Sequence, residues 1–174
     1  MEKPFLLYLI GTSGSGKTTI GTRLNEYFKE HQNGRKVQFI DGDDIRARFG
    51  GMFGYTREER MKCNQATRTV AEYLLENDIS VILTGVVAYE EMRKQIRKQF
   101  GDRYIQCYVK CSLEECMRRD PKGYYKKFKE GNMNNLNGAN DTYETPLQNE
   151  IVVDTEKLSV EESVKHILEY LSKW

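Results

Sequence analysis

Short apolar runs recur along the chain at Phe5–Ile10, Val37–Ile40, Ile79–Leu83, Tyr104–Val109 and Ile151–Val153, separated by helical periodicity or turn signals. Several runs lack polar alternation, the pattern of strands covered on both faces. The intervening stretches Lys17–His31, Arg57–Glu76, Tyr89–Phe100, Leu113–Arg119 and Val160–Leu171 carry the spacing of helices, and Ser112 and Ser159 stand as N-caps for the last two. Strand and helix alternate, so the pattern predicts an α/β fold, a parallel sheet covered by helices on its two faces. The 174 residues suit one domain, residues 1–174.

Lys122–Asn149 departs from this rhythm. It is nearly free of aliphatic residues, opens basic and aromatic, and is rich in Asn from Asn132 to Asn140. A long stretch without regular structure between the fourth and fifth strands reads as a mobile lid, spanning roughly 119–149 once its basic approach is included.

Composition narrows the functional classes. Lys and Arg total 27 against 26 Asp and Glu, a net charge of +1. A neutral chain lacks the broad positive field of nucleic-acid or membrane-surface proteins, so neither partner is expected. The six-residue run Phe5–Ile10 is far short of the roughly 20 residues that span a bilayer. Cys63, Cys107, Cys111 and Cys116 show no metal-ligand spacing and read as buried free thiols, which predicts a cytoplasmic address.

The chemistry begins after the first strand. Gly11-Thr12-Ser13-Gly14-Ser15-Gly16-Lys17-Thr18-Thr19 satisfies G-x-x-x-x-G-K-[ST] in a strand-to-helix setting. Glycines let successive N–H groups turn toward phosphate oxygens, the new helix adds its positive end, and Lys17 adds a mobile charge. Gly11, Ser13, Gly14, Ser15, Gly16, Lys17, Thr18 and Thr19 are therefore the expected ATP-binding residues. Asp41-Gly42-Asp43-Asp44-Ile45-Arg46 follows the second strand at the sheet's C-terminal edge. Thr18 and Asp41 are the expected magnesium positions. Asp43 reads as the base for a substrate hydroxyl or as the holder of a magnesium-bound water, with Arg46 three residues on pointing the same way; service as a helix N-cap is the competing role for Asp43 or Asp44.

After the third strand Thr84-Gly85 stands where a motor ATPase would carry an acid, and no Asn-Lys-x-Asp guanine motif occurs. A small-molecule kinase remains. The basic run from Arg118 to Lys127 suits cations gathered around transferring phosphates. An RNA-contacting stretch with stacking tyrosines, and an inactive nucleotide-binding protein, are the readings from other classes.

Four segments carry a family resemblance: 11–19, the D-G-D-D-I-R run at 41–46, R-D-P-K-G-Y-Y-K-K at 119–127 and N-G-A-N-D-T-Y-E-T-P at 137–146. Together they resemble the adenylylsulfate kinases, over nearly the whole chain. The resemblance implies a P-loop kinase fold with a five-stranded parallel sheet, often dimeric, and the use of magnesium ATP to phosphorylate the ribose 3′-hydroxyl of adenylyl sulfate. It implies Asp43 as the catalytic aspartate, Arg46 and Arg60 as holders of the acceptor nucleotide, and Arg118, Arg119 and Lys122 as the lid's contacts with ATP. Lys122 is assigned to the acceptor side as well.

Departures cluster around the acceptor. Cys63 stands where the family has asparagine, Gln65 and Ala66 replace an arginine pair, and Thr84-Gly85-Val86-Val87-Ala88-Tyr89 replaces S-F-I-S-P-Y. Tyr55 and Leu136 each stand in place of a phenylalanine. Lost arginines remove charge-assisted hydrogen bonds of about 1.5–3 kcal/mol each. The expected acceptor set is thus Asp43, Arg46, Tyr55, Arg60, Gln65, Lys122 and Leu136, with a second acceptor, such as a cytidine diphosphate bearing a phosphoramidate, as the alternative to adenylyl sulfate.

Overall fold

The computed structural model describes residues 3–31, 35–132, 135–139 and 141–173. Five strands, β1 (Leu6–Ile10), β2 (Lys36–Asp41), β3 (Ile79–Gly85), β4 (Tyr104–Lys110) and β5 (Ile151–Asp154), form one parallel sheet in the order β2-β3-β1-β4-β5. Every residue of the central strand β1 is buried. Its alternate side chains feed two cores. Leu7 and Leu9 pack with Ile20 and Leu24 of α1 (Lys17–Glu30) and Ile167 of α7 (Val160–Leu171). Leu6, Tyr8 and Ile10 pack with Ala71 and Leu75 of α3 (Arg57–Glu76) and Ile96 of α4 (Glu90–Phe100). A strand with apolar side chains on both faces has no stable place at a sheet's margin, so the first run of the sequence becomes its centre.

Capping fixes the helix starts. Thr56 with Glu59, and Ser159 with Glu162, close reciprocal capping boxes on α3 and α7. Ser112 caps α5 (Leu113–Arg119), as its position predicts, accepting from the Glu115 backbone N–H. Asp41 caps the short α2 (Gly42–Arg48), its carboxylate accepting from the N–H groups of Asp43 and Asp44. The N-cap expected of Asp43 or Asp44 therefore falls two or three residues earlier, at Asp41. Gly42 is a packing glycine: a Cβ there would lie 2.4 Å from the Thr84 carbonyl oxygen.

The segment expected to lack regular structure contains α6 (Tyr124–Lys129) and a small core of its own, in which Tyr125 and Leu136 pack with Cys111 and Cys116. The side chains that bury this segment are mostly aromatic, so a search for aliphatic periodicity passes over them. Met133, Asn134 and Asn140 of its Asn-rich part lie outside the described residues. All four cysteines are buried and free. No helix among the described residues is long and apolar enough to cross a membrane.

Candidate active site

The order of the sheet places β1 where the connections diverge to either side, the position at which open α/β sheets hold ligands beyond their C-terminal edge. A cavity of about 380 Å³ opens there. One end is built by the turn between β1 and α1. Gly14 takes φ +81°, and a Cβ on it would lie 2.9 Å from the Cys116 carbonyl oxygen. Glycine meets both demands, a left-handed backbone and close approach to α5. Gly16 is the N-cap of α1 with φ 99° and offers no side chain to occupy the helix end.

Lys17 is buried within this turn, its Nζ donating to the Thr12 carbonyl oxygen at 2.6 Å and to Ser15 Oγ at 3.3 Å. Burial, and then the neighbouring Lys122, lower its pKa to about 8, against the opposing pull of Asp43. Thr18 Oγ1 donates to Asp41 Oδ2 at 2.7 Å, and Thr84 Oγ1 donates to the same oxygen at 3.0 Å. Burial works against ionisation of Asp41, but these hydroxyls and the Asp43 N–H outweigh it and hold its carboxyl below the usual range. Thr84, noted in the sequence for the acid it lacks, thus serves to hold an acid from the adjacent strand.

Asp43 sits in the first turn of α2, and its Oδ2 accepts from Lys122 Nζ. Burial alone would lower the Lys122 pKa, yet the Asp43 carboxylate raises it. Lys17, Thr18, Thr19, Asp41, Asp43 and Lys122 all line the cavity. So do Ser13, Gly14 and Gly16, while Gly11 and Ser15 lie buried behind them.

Arg118 and Arg119 lie outside the cavity wall. Both grip Glu115, whose carboxyl they hold down at about 2, and Arg118 is otherwise exposed. Arg119 also reaches Thr155, donating to its Oγ1 at 3.0 Å and its carbonyl oxygen at 2.9 Å. Thr155 in turn donates to the Ser15 carbonyl oxygen at 3.0 Å. Tyr125 is a second tie that sequence reasoning missed: its hydroxyl donates to the Ser13 carbonyl oxygen at 2.9 Å, fastening α6 to the glycine turn.

At the other end of the cavity, Tyr55 lies beside two guanidinium groups, with Arg46 Cζ 4.8 Å and Arg60 Cζ 5.3 Å from its ring centroid. Arg60 Nε donates to the Tyr55 carbonyl oxygen at 2.8 Å, and Arg60 Nη2 donates to the carbonyl oxygen of Asn135, next to Leu136. Arg46, Tyr55, Arg60 and Leu136 all line the cavity.

Gln65 does not. It is exposed on α3, and the residues that the helix turns inward are Cys63, Asn64 and Thr67. Ala66 is half-buried and also off the wall. Neither residue therefore contributes to the cavity wall, whereas the motif placed Gln65 in the acceptor set. The spacing of α3 carries the signal that corrects it: 63 and 67 lie one turn apart on one face, and 65 projects away from them.

The opposite wall is Val86, Val87 and Ala88. Val87 holds φ 44°, a left-handed backbone that β-branched residues rarely adopt. Buried Arg93 keeps it there, donating to the carbonyl oxygens of Val87 and Glu144 at 2.8 Å each and to Glu90 Oε2 at 2.7 Å.

A phosphate-cradling turn at the switch point of a parallel sheet, opening into a cavity in the range of small-molecule sites, defines a P-loop kinase. The model of the family described as adenylylsulphate kinase matches residues 3–154, and the chain belongs to that family. It is similar to the probable adenylyl-sulfate kinase of Aeropyrum pernix, 38% identical over 96% of this chain and 92% of that protein. The adenylyl-sulfate kinase of Oceanobacillus iheyensis is 37% identical over 98% of this chain and 85% of its own. The APS kinase of Mycobacterium tuberculosis, solved in complex with AMPPNP and APS, shares the fold with a TM-score of 0.91 at 23% identity, covering 99% of each chain.

Proposed function

We propose that this chain, acting as a single domain, transfers the γ-phosphoryl group of magnesium ATP to the 3′-hydroxyl of adenylyl sulfate. The observation that carries the reading is the convergence on one cavity of an anion cradle, a hydroxyl–carboxylate pair and a carboxylate held by a lysine. The donor is bound by the N–H groups of the glycine turn and by Lys17, which exchanges its Thr12 and Ser15 contacts for phosphate oxygens. Thr18 and Asp41 fit a magnesium ion: both offer hard oxygens, and Thr18, by giving its proton to Asp41, keeps its lone pairs free for a cation. Bound there, magnesium supplies charge neutralisation across the terminal phosphates.

Asp43 takes the proton of the acceptor hydroxyl, and Lys122, released from Asp43, turns to the transferring group. Arg118 and Arg119 leave Glu115 to reach ATP as the lid closes. Arg46, Tyr55, Arg60 and Leu136 hold the acceptor nucleotide. Arg46 and Arg60 line the cavity and keep two guanidinium groups in it, and with the relatives named adenylyl-sulfate kinases this supports adenylyl sulfate as the preferred acceptor.

A cytoplasmic site of action, supported by four free thiols, and a homodimer complete the proposal. Val70 and Tyr73, exposed one turn apart on α3, offer a second copy an apolar contact. ADP release from magnesium ATP should depend on adenylyl sulfate in a panel with cytidine and other nucleotide diphosphate derivatives; a response confined to another nucleotide would overturn the acceptor assignment. Light scattering at twice the chain mass is expected for the dimer, and a single-chain mass would remove it.

A further inference from the structure

Lys122 reaches Asp43 from a four-residue turn, and one side chain outside the cavity wall governs that turn. α5 ends before Pro121, because the residue preceding a proline is crowded out of the helical region. Asp120 takes φ 27° and ψ 55° at this point, a left-handed backbone that aspartate tolerates better than most residues. Its carbonyl oxygen accepts from the Gly123 N–H at 3.1 Å, closing a turn in which Pro121 and Lys122 are the central residues. α6 then starts from Gly123, which has no side chain to cap it. The cap comes from the near side of the turn instead. Asp120 Oδ1 accepts from the Tyr125 N–H at 3.2 Å, and Oδ2 accepts from the Lys126 N–H at 2.9 Å. One residue thus ends α5, closes the turn and caps α6.

Both flanks of this joint are held against the glycine turn of the donor site. α5 meets it at Cys116, whose carbonyl oxygen leaves no room for a Cβ on Gly14, and α6 is tied to the Ser13 carbonyl oxygen by Tyr125. With the flanks held, the joint at Asp120 sets where the turn carries Lys122. A lysine side chain is long and flexible, so it meets one partner reproducibly only from a backbone that is itself fixed. Resting on the reading in which Lys122 serves the transferring group, we propose that Asp120 is a positioning residue, whose carboxylate, bonded across the turn to the first N–H groups of α6, keeps Lys122 in register with Asp43. It acts through the backbone and not by its charge: the carboxylates that chiefly act on the Lys122 ammonium are Asp43 and Asp41.

Three substitutions separate the carboxylate from the backbone. Asp120→Asn keeps an acceptor oxygen and a side chain that tolerates the left-handed region; Asp120→Gly suits the backbone but removes the cap; Asp120→Ala loses both. Two quantities are read: kcat for ADP release with magnesium ATP and adenylyl sulfate, and the rate at which an amine-reactive reagent labels Lys122 in the free protein, followed by mass spectrometry with exposed Lys157 as the internal reference. Asp120→Asn should stay within about threefold of wild type in both. Asp120→Gly and Asp120→Ala should each lower kcat by about tenfold and speed Lys122 labelling several-fold against Lys157, and the glycine variant covers the case in which the alanine variant does not fold. In a Lys122→Met background Asp120→Gly should lower kcat by less than about twofold more, since no lysine is left to misplace. A glycine variant that works and labels like wild type would overturn the role of the carboxylate. An undiminished loss on top of Lys122→Met would mean that Asp120 does not act through Lys122, and would overturn it as well. The labelling needs no turnover: faster labelling of Lys122 in Asp120→Gly would uphold the joint even if adenylyl sulfate were not phosphorylated and the acceptor reading fell.

Discussion

The two ends of the cavity are built in opposite ways. At the donor end, one run of nine residues supplies the turn, the lysine and the hydroxyl, and its polar side chains are satisfied by near neighbours: Lys17 by Thr12 and Ser15, Thr18 by Asp41. At the other end, the wall comes from α2, α3, the β3–α4 connection and the stretch around Leu136, with a valine held at positive φ. A site for a phosphate can be made locally, because backbone N–H groups and one cation are enough. A wall that selects a particular molecule has to be assembled from distant segments.

The largest effect expected from breaking this contrast is at Lys17. Lys17→Ala should abolish ATP binding and turnover together, which calorimetry with an ATP analogue and an ADP-release assay would register; retained binding would place the phosphates elsewhere. Next is Asp43→Asn, which should spare ATP binding and lower kcat by about 10²–10⁴-fold.

Arg93→Met removes the clamp on the Val86–Ala88 wall and leaves the buried Val87 carbonyl and the half-buried Glu144 carbonyl without this donor. A loss of about 2–4 kcal/mol in stability is expected by denaturant titration. The KM for the acceptor should rise more than that for ATP; equal rises would mean that the wall has no selective role. Tyr125→Phe removes only the bond to Ser13 and should cost about 1 kcal/mol, with a small increase in the KM for ATP.

The smallest effect concerns protons. Lys17 has its pKa lowered from 10.5 to about 8 by burial first and by Lys122 second. Between those values the unfolded chain holds more protons than the native one, so this group makes stability rise with pH across the window from about 8 to 10.5. Triphosphate beside Lys17 favours its charged form, so ATP binding near pH 8 should take up part of a proton. Calorimetry in buffers of different ionisation enthalpy would detect this, and buffer-independent heats would contradict it.

Legibility in the sequence followed the same divide. The strands, most of the helices and the P-loop fold were readable because each is encoded by local periodicity or by a contiguous motif. Short helix α6 was not, since its burial rests on Tyr125 packing across the chain rather than on aliphatic spacing. Gln65 was placed in the acceptor site by its motif position, but helix rotation turned Cys63, Asn64 and Thr67 inward instead. Arg93 carried no signal of its own. Its role arises from contacts with Val87 and Glu144, which only the folded chain brings within reach.

The central claim is that the donor cradle and Asp43 serve phosphoryl transfer to a nucleotide hydroxyl. It is tested most directly by incubating wild-type protein and Asp43→Asn with magnesium ATP and adenylyl sulfate, and identifying the product by phosphorus NMR. Stoichiometric ADP and a 3′-phosphorylated product from wild-type protein, with turnover by Asp43→Asn reduced at least a hundredfold, is the predicted result. ADP formed without phosphorylation of the acceptor, or an Asp43→Asn variant working at the full rate, would contradict it.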